Sequence, residues 1–93
     1  MQKPTLLLAD DHAIVLDGLS RLLQPEFTVV GKAGDGRELL KMAAELKPDV
    51  IVVDVSMPLL SGIEAVRQLK RNDLRLKIIF LSMHSDVELA IET

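Results

Sequence analysis

At 93 residues the chain has room for one small domain. Hydrophobic residues make up 48% and charged residues 27%, with five glycines and four prolines, which excludes a disordered or collagen-like chain. The lack of cysteine excludes a disulfide scaffold, a thiolate zinc site and a thiol nucleophile, and a net charge of -3 with two aromatic residues, Phe27 and Phe80, argues against nucleic-acid binding by this segment.

In chain order, the first apolar run, Leu6-Leu7-Leu8-Ala9, is continuous and not alternating, as expected of a strand covered on both faces, β1 (about 5–9). A helix, α1 (about 12–24), follows with the stripe Val15, Leu19, Leu22 and Leu23, and Pro25 closes it. A poorer apolar stretch, β2 (about 27–33), reads as an edge strand ahead of the turn Gly34-Asp35-Gly36. Leu39, Met42, Ala43 and Leu46 mark α2 (about 36–46), which Pro48 closes. The run Val50-Ile51-Val52-Val53 predicts β3 (about 49–54), and Ala65, Val66 and Leu69 predict α3 (about 62–71). Ile78-Ile79-Phe80-Leu81 predicts β4 (about 76–82), and the start of a fourth helix, α4, is expected at about 86. The pairs Asp35 with Glu38, Ser61 with Glu64 and Ser85 with Glu88 each place an acceptor at a helix start and a carboxylate three residues on.

None of the apolar runs approaches the length of a membrane span, so a soluble, cytoplasmic chain without a signal peptide is expected. Strand and helix alternate throughout, which predicts an α/β fold with a parallel sheet and right-handed crossovers.

In open parallel sheets the functional crevice lies beyond the carboxyl ends of the strands. There β1 ends on Asp10-Asp11, β3 on Asp54 and β4 on Ser82. Three crowded carboxylates resist full ionisation unless a cation neutralises them, and hard oxygen donors point to Mg²⁺. A carboxylate is also a competent nucleophile toward phosphorus. Asp11 is in addition a natural cap for α1, and His12 and His84, which lie near the site and invite a metal or general-base reading, are read as ordinary loop histidines. Gly62 and the Gly34-Asp35-Gly36 turn read as backbone punctuation and not as a phosphate cradle.

Asp10-Asp11, the stretch Asp54-Val55-Ser56-Met57-Pro58 with Gly62, and Leu81-Ser82-Met83-His84 together resemble the receiver domain of two-component response regulators, with wording most similar to the LuxR/FixJ type. The resemblance runs from Thr5 to the end of the chain. It implies a flavodoxin-like, doubly wound parallel sheet in the order 2-1-3-4, here a single receiver unit over 1–93 that stops before the fifth strand. It further implies that Asp54 accepts a phosphoryl group from a sensor histidine kinase and that Asp10, Asp11, Asp54 and the Ser56 carbonyl hold Mg²⁺. Ser82 would contact the phosphoryl group, and a longer parent would regulate transcription. Such a domain is a signalling module and not an enzyme. The family's lysine and aromatic switch residue on the fifth strand have no counterpart here, and Lys70 and Lys77 lie too far from the carboxyl edge to substitute. A metal-dependent phosphohydrolase is disfavoured because Asp10 and Asp11 are adjacent, whereas two carboxylates one residue apart would share a face. The remaining alternative is an assembly fragment that dimerises through an uncovered β4 edge or an exchanged α4.

Overall fold

A computed structural model describes residues 3–54, 62–72, 76–83 and 87–92. In it β1 (Thr5–Ala9), α1 (Ala13–Leu23), β2 (Thr28–Ala33), α2 (Gly36–Leu46), β3 (Val50–Asp54), α3 (Gly62–Asn72) and β4 (Lys77–Met83) follow one another as the periodicities predict. Strands β1 to β4 are parallel and lie in the order 2-1-3-4, with β2 at the edge.

Continuous apolar strands arise because both faces are covered. Leu6, Leu8, Val50 and Val52 pack with Leu16, Leu19 and Leu23 of α1, while Leu7, Ala9, Ile51 and Val53 pack with Leu39 and Ala43 of α2 and Ala65, Val66 and Leu69 of α3. Side chains alternate between faces along a strand, so residue parity alone assigns each position to the α1 side or to the α2/α3 side.

The α1 stripe is displaced from its predicted position. Leu16 is its buried centre, Leu19 and Leu23 flank it, and Leu22 is 72% exposed, because the helix presents the i, i+3, i+7 face to the sheet. On β2 the register with β1 slips between Leu6 and Leu7, leaving Val30 unmatched, and Gly31 follows. A Cβ at Gly31 would lie 3.0 Å from Leu46 Cδ1 and 3.1 Å from Leu7 Cδ1, so the missing side chain is what lets α2 approach this strand. Helix α2 begins as predicted, with the Glu38 amide donating to Asp35 Oδ1 at 2.8 Å and Glu38 Oε1 accepting from the Gly34 amide at 2.9 Å. It ends on Lys47 in the left-handed region (φ 48°), immediately before Pro48.

Two expectations are corrected at the far end of the sheet. Residues Val87–Glu92 do not begin a helix; they form a fifth strand, β5, antiparallel to β4, pairing from Ile78 with Glu92 to Met83 with Val87. The helix start read from Ser85 and Glu88 is overruled by the alternation of apolar Val87, Leu89 and Ile91 with Glu88, Ala90 and Glu92, which suits a strand beside an open edge. The β4 edge is therefore paired, and the expectation that it offers a row of free backbone groups to a second copy, or that a helix α4 is exchanged, does not hold. No helix among the described residues is long and apolar enough to cross a membrane.

Candidate functional site

Strands β1 and β3 are clasped at their amino ends. The Thr5 amide donates to Asp49 Oδ2 at 2.8 Å, and the Asp49 amide donates back to Thr5 Oγ1 at 2.9 Å. This pins a register in which Leu6 faces Val50 and Ala9 faces Val53. Five residues beyond Thr5 is Asp10, and five beyond Asp49 is Asp54. The same register thus sets the two aspartates side by side at the carboxyl edge. Both continue the parity of the α1 side, Asp10 after Leu6 and Leu8, Asp54 after Val50 and Val52. Backbone pairing anchors each of them: the Asp10 amide donates to the Ala33 carbonyl at 3.0 Å, and Asp54 is matched with Leu81 of β4.

Asp10 and Asp54 are buried, at 0% and 2% exposure, while Asp11 is partly open to solvent. Ligand atoms of Asp10, Asp11, His12 and Asp54 all lie within 4.8 Å of one another. Asp10 Oδ2 is buried with no hydrogen-bond partner among the described residues, a costly condition for a carboxylate oxygen in a low-dielectric setting. Hard oxygens packed this closely, one of them unsatisfied, fit a divalent cation.

His12, read from the sequence as an ordinary loop histidine near the site, is the residue whose contacts the structure brings out. It stands at the N-cap of α1 without capping the helix through its side chain, so the capping role considered for Asp11 is taken by no acidic side chain there. Instead the His12 amide donates to Asp10 Oδ1 at 2.8 Å, and its Nδ1 lies 2.9 Å from both Asp10 Oδ1 and Asp11 Oδ1. The hydrogen bond to Asp10, and then the charge of Asp11, hold the imidazole pKa above its usual value. No spacing rule marks such a histidine in the sequence, since only the turn from β1 into α1 brings the ring back over both carboxylates. Asp49 likewise carries no mark in the sequence, because its role is in the register and not in chemistry.

The backbone of Ser82 lies one residue past the Asp54–Leu81 pair, at the same sheet edge. Ser56, with Met57, Pro58 and His84, lies outside the described residues. Lys77 pairs with Val50 at the opposite end of the sheet and Lys70 sits in the last turn of α3, so neither reaches the carboxylates through the backbone layout.

Comparison with known proteins agrees with this layout. The response regulator receiver domain family matches residues 6–93. The transcriptional regulatory protein YdfI of Bacillus subtilis is 38% identical over 90 residues, covering 94% of this chain and 41% of that protein. The signal receiver domain of the response regulator NarL from Mycobacterium tuberculosis superposes with a TM-score of 0.85 at 27% identity, over 92% of this chain and 71% of that one. A LuxR-family two-component response regulator from Aurantimonas gives a TM-score of 0.83 at 35% identity, over 90% and 61%. The chain spans about two fifths of the length of YdfI. A flavodoxin-like parallel sheet carrying buried aspartates at its carboxyl edge, and a family match over nearly its whole length, show that the chain belongs to the response regulator receiver domains.

Proposed function

We propose that residues 1–93 act as one phosphoacceptor unit in which Asp54 receives a phosphoryl group from the phosphohistidine of a sensor kinase. The observation that carries this reading is the burial of Asp54 beside Asp10, with Asp11 within ligand distance, on one face of the carboxyl edge. An oxygen of Asp54 forms the new bond to phosphorus as the phosphorus–nitrogen bond of the donor breaks, and the electron pair leaves with the donor imidazole. Asp10 and Asp11, with Asp54 and the Ser56 carbonyl, are the residues that would hold Mg²⁺; bound there, the ion supplies charge neutralisation to the transferring oxygens. Burial of Asp54 keeps bulk water from the acyl phosphate once formed. Ser82, whose backbone follows the Leu81 that pairs with Asp54, is the residue we assign to the phosphoryl oxygen.

Each chain accepts one group and turns over no substrate, so it acts as a signalling domain whose parent regulates transcription in the cytoplasm. A second copy of the chain is the further partner on this reading, met through the outer edge of β5, which among the described residues pairs only with β4. Incubation with Mg²⁺ and a small-molecule phosphodonor tests the acceptor. Intact mass should show one added phosphoryl group on the wild-type chain and none on Asp54→Asn; equal labelling of both would remove Asp54 from the role.

A further inference from the structure

We infer that His12 is a ligand of the cation site, adding an imidazole nitrogen to the carboxylate oxygens and shifting the site's preference from Mg²⁺ toward borderline first-row ions such as Co²⁺. The inference rests on the reading that Asp10, Asp11 and Asp54 hold a divalent cation.

Three observations converge on the ring. Its Nδ1 is equidistant, at 2.9 Å, from one oxygen of Asp10 and one of Asp11. Adjacent donors around an octahedral ion with bonds of about 2.1 Å are separated by about 3.0 Å, so the nitrogen stands from each of the two oxygens at the spacing of neighbours in one coordination shell. The ring is also uncommitted elsewhere, because it stands at the N-cap of α1 without a side-chain capping bond, while its amide is fixed to Asp10 Oδ1 at 2.8 Å. Finally, the buried Asp10 Oδ2 has no hydrogen-bond partner among the described residues, which marks the cluster as a site with a ligand to satisfy and not merely a solvated acidic patch.

The chemistry follows from donor type. Carboxylate and carbonyl oxygens suit Mg²⁺, whereas imidazole raises affinity for Co²⁺, Ni²⁺ and Zn²⁺ far more than for Mg²⁺. With the His12 side chain 62% exposed, replacing it leaves the core untouched, so loss of binding in a variant reports on the ligand and not on folding.

Calorimetric titrations with Co²⁺ and, separately, with Mg²⁺ on the wild-type chain, His12→Ala and His12→Gln decide the matter, at one pH above the imidazole range and with folding checked by amide NMR. The Co²⁺ to Mg²⁺ affinity ratio should fall about tenfold or more in both variants. The Co²⁺-loaded wild-type chain should also show a paramagnetically shifted, exchangeable imidazole Nε2–H resonance that both variants lack. A ratio unchanged across the three proteins, or restored by His12→Gln, would assign the histidine to hydrogen bonding alone and overturn the inference, while leaving the carboxylate site intact. Failure of the wild-type chain to bind either ion would instead remove the carboxylate site itself, and His12 with it.

Discussion

Asp10 and Asp54 are neighbours for a reason that sits five residues away from each of them. The reciprocal hydrogen bonds of Thr5 and Asp49 fix the β1–β3 register, and a slip of one residue between the two strands would put the two carboxylates on opposite faces of the sheet. Asp49→Ala should therefore cost about 1 kcal/mol in chemical denaturation, without the loss of cation binding expected of Asp10→Ala. The aspartates themselves were legible in the sequence, because charges that interrupt continuous apolar runs mark strand ends. His12 was not, since its contacts exist only once the chain has turned into α1. Its raised pKa has a definite consequence for stability. The folded state favours the imidazolium, so the contribution is fully present below 6.5 and is lost as pH rises through the higher folded value. An NMR titration of the cation-free protein should give a His12 midpoint above 6.5 that drops in Asp11→Asn; a midpoint indifferent to Asp11 would contradict the ion pair.

At the scale of elements, β1, β3 and β4 were readable from continuous apolar runs and α2 from its capping pair, whereas two features were decided by tertiary context. Helix α1 rotates its stripe to centre on Leu16 and leaves Leu22 exposed, which pattern alone does not resolve when five apolar residues fall in nine positions. The segment Val87–Glu92 carries both a helix-start pattern and a period of two, and the neighbouring edge of β4 settles the conflict in favour of a strand. Proline in place of Leu89 should consequently raise amide hydrogen exchange in β4, and no change in β4 would contradict the pairing. At the α2–β2 contact, Gly31→Val drives a branched side chain against the fully buried Leu7 and should destabilise the fold by about 1–3 kcal/mol, read as a lower denaturation midpoint.

For the whole molecule, the two apolar layers hold the sheet, and on the proposed function the carboxyl edge carries the chemistry, so stability and function would be coupled through one group of charges. Buried and close-set carboxylates cost stability until a cation joins them, and any ligand that binds only the folded state adds stability by mass action. Self-association through the β5 edge should appear as a dimer in light scattering, and a monomer persisting at high concentration would remove that partner. Most directly, a Mg²⁺ titration followed by amide NMR tests whether the carboxyl edge is one cation pocket. The resonances of Asp10, Asp11 and Asp54 should shift together along a single binding curve, and Asp54→Asn should weaken that curve. Shifts that are absent, or that follow unrelated curves at the three positions, would contradict it.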